Sequence, residues 1–254
     1  MKRFITNKYV LTILGCILFL AIWLLISASV GDAKIIFPDP FSTITKTFEI
    51  LGHSYVYKCI WWTLYRMIIG FSISFACALL FGIFAGNFPS FQTLMKPFIV
   101  ALKSVPTAAV VFLFLIYPGA RYAPIFIVIL ISFPILYESV AAGIHNIPPE
   151  LIEASRVDGG TFAKITFRIR LPLAIPYILV GIASSFALAF KIEIMAEIIT
   201  GDTRNGLGSA ILAAQKNDFS DMTTIFAYSL IAIVFMLAIT LIKDIVIKLV
   251  KKND

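Results

Sequence analysis

Six stretches of roughly twenty nearly uncharged residues dominate this chain, each long enough to cross a bilayer as a helix. They run over about Tyr9–Val30, Trp61–Ala85, Pro97–Tyr117, Tyr122–Ile144, Leu173–Ile194 and Thr223–Ile242. In hydrocarbon every backbone N–H and C=O must find its partner inside the protein, which restricts spanning structures to helices and closed barrels. Barrel strands are shorter and alternate apolar with polar residues. These runs are apolar throughout, so the predicted fold is all-α, with six transmembrane helices. The composition agrees: 60% of the residues are hydrophobic and 14% charged, against about 25% charged in soluble domains. That leaves too little polar surface to coat a water-soluble globule.

The first run follows Met1-Lys-Arg and has the charged start of a signal peptide. Its uncharged stretch reaches about 33 Å at 1.5 Å per residue, and no small-x-small cleavage site followed by a soluble domain is evident. A retained anchor is expected, with cleavage as the alternative. Cys16 and Cys77 lie inside apolar runs, so with Cys59 they give no readable disulfide framework. His53 and His145 have no metal-ligand spacing.

The net charge of +7 is a feature of membrane orientation rather than of nucleic-acid binding. With the N-terminus inside, Lys2, Arg3, Lys8, Lys96, Arg156, Lys164, Arg168, Arg170, Lys243, Lys248, Lys251 and Lys252 fall on the inner side. Lys34, Lys46, Lys58, Arg121, Arg204 and Lys216 fall outside. Twelve against six satisfies the positive-inside rule, and both termini are expected in the cytoplasm.

The spans differ in their prolines. Pro106 falls in the third, Pro124 and Pro134 in the fourth, and Pro176 in the fifth. Proline removes a helix hydrogen bond, and broken backbone at membrane depth is tolerated where it faces protein or a wet cavity. Spans three to five are therefore candidates to line a path; the plainer alternative is that prolines are common in membrane helices. Between spans one and two, Thr43–Leu51 is a candidate interfacial helix. Before span six lies a glycine cluster, Gly201, Gly206 and Gly208.

The most informative segment is 146–172. Pro148, Pro149, Glu150 and Glu153 favour a helix start. Asp158-Gly159-Gly160 stops that helix, and Thr161 can cap a second one carrying Phe162, Ile165 and Ile169 on one side. Leu171-Pro172 is expected to end it before span five. Two short helices joined by a glycine bend suit docking into a partner's groove. The competing reading is an amphipathic segment lying on anionic lipid.

Glu153-Ala154-Ser155, then Gly159, then Ile169-x-Leu171-Pro172 resembles the "EAA" loop of binding-protein-dependent ABC importer permeases. Ser155 replaces the usual second alanine. The resemblance extends over about Trp61 to the C-terminus. Thr63-Leu64-x-Arg66-x-x-x-Gly70-Phe71 looks like the opening of the permease core. Ala189-Phe190-Lys191, Ala196-Glu197 and Gly206-Leu207-Gly208 are similar to the nitrate/sulfonate/taurine class, many members of which have Trp where Phe190 stands. The resemblance implies the type I ABC importer permease fold, with residues 1–60 forming an N-terminal span and outer loop and 61–254 a five-span core. It implies a bacterial cell-membrane protein that dimerises, most simply with a second copy of itself. It also implies two ABC ATPase subunits inside and a solute-binding protein outside. Glu153, Ala154, Ser155, Gly159, Leu171 and Pro172 would form the ATPase-coupling loop, with Gly159 setting the bend and Glu153 acting as a polar contact or cap. The chain has no Gly-x-x-x-x-Gly-Lys-Ser/Thr phosphate loop. ATP and Mg are therefore expected on the partner ATPase, with no cofactor on this chain.

For the pathway, Lys103, Pro106, Glu138, Lys191, Glu193 and Glu197 are the candidates, because ionisable groups at membrane depth face an interior or pair. Lys191 is placed to pair with Glu193 or Glu197 or to touch a charged solute; structural pairing or snorkelling is the alternative for each. Arg66 reads as a snorkelling residue near the outer end of span two. A secondary transporter driven by an ion gradient would leave the EAA-like loop unexplained. A membrane enzyme would need a nucleophile–base, dicarboxylate or metal constellation, and the sequence pattern supplies none. The class allows oxyanions such as nitrate, sulfonates such as taurine, or vitamin-precursor heterocycles as solutes.

Overall fold

At four-residue intervals along one helix, Gly70, Ser74, Ala78, Gly82 and Gly86 form a buried stripe of small residues. In hydrocarbon, where there is little hydrophobic drive between helices, such stripes let two backbones approach and maximise van der Waals contact. A computed structural model describes residues 8–29, 37–201, 205–218 and 221–252. In it the stripe belongs to α3 (Ser54–Asn87) and packs on α6 (Ala123–His145). A Cβ on Gly82 would stand 2.7 Å from the Cβ of Val140, and one on Gly70 2.7 Å from the carbonyl of Ile125. A neighbouring side of α6 packs on α9 (Leu171–Thr200), again through a glycine: a Cβ on Gly143 would lie 2.9 Å from the Cβ of Tyr177. α6 is thus the centre of a three-helix sandwich.

The other elements are arranged around this sandwich. α1 (Lys8–Ser29) lies at the edge with nearly all its side chains exposed. Its polar links run to residues 37–38: Trp23 Nε1 donates to the carbonyl of Pro38 (3.0 Å) and Ser27 Oγ to that of Phe37 (3.2 Å). α2 (Pro40–Leu51) forms where an interfacial helix was expected, and it packs on α11 (Met222–Lys252). The Asp39 carboxylate caps α2 by accepting from the amides of Phe41 (2.9 Å) and Ser42 (3.0 Å), and Pro40 occupies the first turn. Those bonds, led by the one from Ser42, hold the Asp39 carboxyl below the usual range. Asp39→Ala should fray α2 at a cost of about 1 kcal/mol. Hydrogen exchange should show faster opening at Phe41 and Ser42, with the rest of the bundle unchanged.

Span three departs from the expectation of one continuous helix. It is divided into α4 (Pro89–Ser104) and α5 (Thr107–Ile116), bent by 92° at Val105-Pro106. Pro106 disfavours helical backbone at the residue before it, and Val105 is accordingly extended, with φ −70° and ψ 127°. Among the described residues five helices are long and apolar enough to span a membrane, or six when the bent pair counts as one. The interior prolines Pro134 and Pro176, by contrast, leave α6 and α9 unbroken.

A second departure concerns Leu171-Pro172, which does not end a helix. α8 (Phe162–Ile165) runs through a π-turn (Thr166–Arg170) directly into α9, giving a helical run over Phe162–Thr200. In the π-turn the Leu171 amide bonds the Thr166 carbonyl, five residues back. That wider turn resets the hydrogen-bond register just ahead of Pro172, which has no N–H to contribute. Lys2, Arg3, Lys34 and Arg204, which contribute to the charge bias, lie outside the described residues.

Candidate functional site

The segment after α6 projects from one end of the bundle as α7 (Pro149–Val157), a tight turn and α8. Gly159 adopts φ +76°, a conformation that favours glycine, and no atom lies within 4 Å of where its Cβ would be. It sets the bend through backbone conformation rather than through close packing. The steric restriction falls instead on Gly160. Its amide donates to the Ser155 carbonyl (2.8 Å), and a Cβ would lie 2.6 Å from that oxygen. Asp158 N bonds the carbonyl of Ala154 (3.1 Å) to close α7. Thr161 caps α8 by accepting from the Lys164 amide at 3.4 Å. No side chain caps α7, and Glu153 is exposed beside the cleft between hairpin and bundle, so the capping role considered for Glu153 is not found.

Ile147, Ile152 and Ile165 are buried under this hairpin, with Ile169 packed against them. Phe162, expected on the same side, is instead 54% exposed and stacks on Phe88 with ring centroids 5.3 Å apart. Asn87, at the end of α3, ties the hairpin to the bundle: its Oδ1 accepts from Arg170 Nη1 at 2.6 Å and Thr166 Oγ1 at 3.4 Å. Leu171 packs against the Val140–Ile144 cluster, and Pro172 is exposed. Leu151, Glu153, Ala154, Arg156 and Val157 of α7 are all exposed, Glu153 and Arg156 bordering the cleft between the hairpin and the bundle end at Asn87 and Arg170. Exposed apolar residues beside charges on a projecting helix fit a protein groove.

At the opposite end of α9 lies a cluster that the sequence reading only partly anticipated. Arg66 does not snorkel. It is 8% exposed and lies between two glutamates that are fully buried, Glu193 and Glu197. Its Nε donates to Glu193 Oε1 at 3.2 Å, while Nη2 donates to Glu197 Oε1 and to the carbonyl of Asn205 (2.7 Å). Thr63 Oγ1 donates to Glu197 Oε1 (2.9 Å) and accepts from the Leu207 amide (2.8 Å). The Gly208 amide donates to Glu197 Oε2 at 2.8 Å. Glu197 therefore caps the N-terminus of α10 (Leu207–Asn217) from a neighbouring helix, where the dipole favours an anion. A Cβ on Gly206 would lie 2.6 Å from both Arg66 Nη2 and Glu197 Cδ, so glycine is what allows the chain to cross the cluster here.

This corrects three expectations. Lys191 is exposed and is not the partner of Glu193 or Glu197; the two-residue step from 191 to 193, about 200° of rotation, puts it on another face of α9. Glu193 and Glu197, candidates for the path, have their side chains sealed inside the subunit in this structure. The missed residue, Arg66, was legible in part: one cation at membrane depth and two carboxylates four residues apart are complementary in charge, though in different spans.

The other pathway candidates do meet. Lys103 Nζ and Glu138 Oε2 pair at 2.5 Å, with both side chains nearly half exposed. Glu138 borders a cleft of about 420 Å³ between α4 and α6, lined also by Gln92, Thr93, Lys96, Ile99, Val100 and Tyr137. Pro106 is exposed at the α4–α5 bend. Among the described residues no group of three His, Cys, Asp or Glu side chains could hold a metal ion.

Comparison with known proteins fits this arrangement. Residues 78–253 match a family described as the binding-protein-dependent transport system inner membrane component. A putative aliphatic sulfonates transport permease protein, SsuC, of Bacillus subtilis is 28% identical over 216 residues, covering 82% of this chain and 74% of that one. A bicarbonate transport system permease protein, CmpB, of Synechococcus elongatus is 28% identical over 248 residues, covering 92% and 85%. Among solved structures, a chain of the MetNI methionine ABC transporter in an inward-facing conformation superposes with a TM-score of 0.67 at 16% identity. The match covers 77% of this chain and 96% of that one.

Proposed function

This chain belongs to the family of binding-protein-dependent transport system inner membrane components, and from that membership we propose how it works as the permease subunit of an ABC importer. The hairpin of α7 and α8 is the coupling element for a separate ATPase. The observation that carries this is the unbroken helical run Phe162–Thr200. It starts inside the hairpin and ends bolted through Glu193 and Glu197 to α3 and α10. At 1.5 Å per residue it is a rod of about 58 Å. A displacement of the hairpin by a closing ATPase reaches the far end of the subunit as rigid-body motion, which is how packed helices carry switching transitions.

Gly159→Val and Glu153→Lys test the assignment. Valine is strained at φ +76°, and the lysine reverses a charge on the exposed face of α7. Neither residue is buried, so both variants should insert and fold. Each should weaken ATPase pull-down or uncouple solute-stimulated hydrolysis from uptake in reconstituted vesicles, with a docking loss on the order of 1 kcal/mol or more for the charge reversal. Normal docking, uptake and stimulation in both would instead favour a hairpin that lies on lipid.

The hairpin end and both termini are cytoplasmic in this reading, supported by the excess of Lys and Arg on that side. Cysteines added at either terminus should be labelled by membrane-impermeant reagents only after the cells are opened. Labelling of intact cells would reverse the orientation. A second permease subunit, most simply another copy, completes the pathway, a solute-binding protein delivers the solute, and ATP and Mg bind the partner ATPase. The solute is a small anion. Relatives named for sulfonates and bicarbonate support that class, and the free cation Lys96 in the α4–α6 cleft suits it. Uptake of labelled sulfonate, nitrate or bicarbonate separates these from a vitamin-precursor heterocycle.

A further inference from the structure

Between the hairpin and the end of the bundle lie two adjoining clefts, of about 360 and 150 Å³. Both are walled by Asn87, Ile152, Arg156 and Arg170. The larger falls within the size range of small-ligand sites, about 300–1,000 Å³. Two guanidiniums thus face one space, where Arg156 repels Arg170. Among the described residues no carboxylate lies within ion-pairing distance of either. Glu153 lines the larger cleft without pairing, and Glu150 and Asp158 are exposed and line neither. The side chains of Asp244 and Asp254 lie outside the described residues.

Arg170 is fixed in place yet under-bonded. Its Nη1 donates to Asn87 Oδ1 at 2.6 Å, and Asn87 is itself anchored by Nδ2 on the Ile83 carbonyl at 2.7 Å. Nε is buried without an acceptor, and Nη2 has none among the described residues. Nε–H and Nη2–H form the edge by which arginine takes an oxyanion side-on. A buried guanidinium donor without an acceptor is costly, which favours binding of a group that supplies one.

The position identifies that group. Asn87 ends the spanning helix α3, and Arg170 directly precedes α9, so both stand where the chain leaves hydrocarbon. Phe88 and Phe162 flank the smaller cleft, stacked on each other at exposed positions, and Phe167 is exposed beside them. Aromatic rings next to basic side chains at the ends of spans mark the membrane interface, and basic pockets between spans hold anionic headgroups.

We propose that the root of the hairpin binds the phosphate of one anionic phospholipid. Its oxygens accept from Arg156 and from the Nη2 side of Arg170, and its acyl chains lie along Phe88 and Phe162. The phosphate offsets the repulsion between the two arginines and ties α7 to the π-turn ahead of α9. A single headgroup entering this cleft differs from a hairpin lying flat on the bilayer, and it requires no docked ATPase.

The test uses the full transporter with its ATPase subunits. Native mass spectrometry should find one phosphatidylglycerol retained for each copy of this chain, in preference to phosphatidylcholine. Arg156→Gln should weaken retention roughly tenfold, the loss of a hydrogen bond to a charged group. Arg156 is exposed, so that variant should fold. Arg168→Gln, exposed on the same π-turn and outside both clefts, should retain the lipid as the wild type does. In nanodiscs the amides of residues 162–170 should exchange more slowly with phosphatidylglycerol than with phosphatidylcholine, in the wild type and Arg168→Gln but not in Arg156→Gln. Absence of a lipid preference in the wild type overturns the proposal. Equal loss in both variants assigns the effect to diffuse surface charge and overturns it. Displacement of the lipid by inorganic phosphate assigns the site to a free oxyanion and overturns the lipid. Release of the ATPase by Arg156→Gln with lipid retention unchanged assigns the arginine to a protein contact and overturns it equally.

Discussion

Arg66→Met should be among the most damaging single substitutions outside the coupling hairpin. It leaves the two glutamates of α9 buried without their cation and strips the Asn205 carbonyl of a donor. Removing one partner of a buried ion pair typically costs about 3–5 kcal/mol, because the remaining charge keeps its desolvation penalty. Much of a membrane bundle's cohesion is at stake, and the damage should concentrate at α10, whose N-terminus rests on this cluster. The expected result is a lower thermal midpoint in detergent and reactivity to aqueous maleimide of a cysteine substituted for Leu207, which is fully buried in the wild type. Neutralising the whole group, with Arg66→Met, Glu193→Gln and Glu197→Gln together, should recover part of the loss, since no bare charge then remains. A single Arg66→Met variant with wild-type stability would mean that the cluster does not hold the fold.

Gly82→Leu should be comparably severe for a different reason. The site faces α6, and even a Cβ would lie 2.7 Å from that of Val140, with the Tyr137 carbonyl 3.2 Å away. Overpacking in a well-filled core costs about 1–3 kcal/mol, occasionally more. The obstructing atoms here belong to a stiff β-branched residue and to backbone rather than to a flexible side chain. α3 and α6 must separate along the length of the small-residue stripe, which carries the hairpin anchor Asn87 at its end. Insertion should proceed while the folded yield and thermal midpoint fall, and Val140→Ala should restore part of both. Gly15→Leu is the control. Nothing lies within 4 Å of its Cβ position, so the same change in size should be neutral there. Equal damage at both positions would point to membrane insertion rather than packing.

The two substitutions differ in how visible their sites are in the sequence. The four-residue spacing from Gly70 to Gly86 can be read from the sequence, but which helix it faces cannot, because every span offers an apolar surface of similar character. The Arg66 cluster joins residues more than 120 positions apart. Their charges suggest a pairing, yet Lys191 is far nearer in sequence and equally plausible by charge. Helix phase decides: residues 193 and 197 share a face of α9 toward α3, while residue 191 is rotated by about 200° from residue 193. The family motifs around Thr63, Glu197 and Gly206 to Gly208 looked like separate signatures, and the structure brings them together as one capped helix end.

What the sequence determined by itself is the class of fold, the spans and the hairpin. Each follows from local chemistry: apolar length against bilayer thickness, the backbone's need for internal hydrogen bonds, and proline at the hairpin's start with glycine at its bend. Tertiary structure decided the rest. Pro106 breaks its span while Pro134 and Pro176 do not, and Pro172 is carried through by a π-turn. Arg66 turns inward because the two carboxylates of α9 and the Asn205 carbonyl are there to receive it. A backbone defect or a buried charge survives only where neighbouring elements replace what it lacks, and those neighbours are set by three-dimensional packing rather than by nearness along the chain.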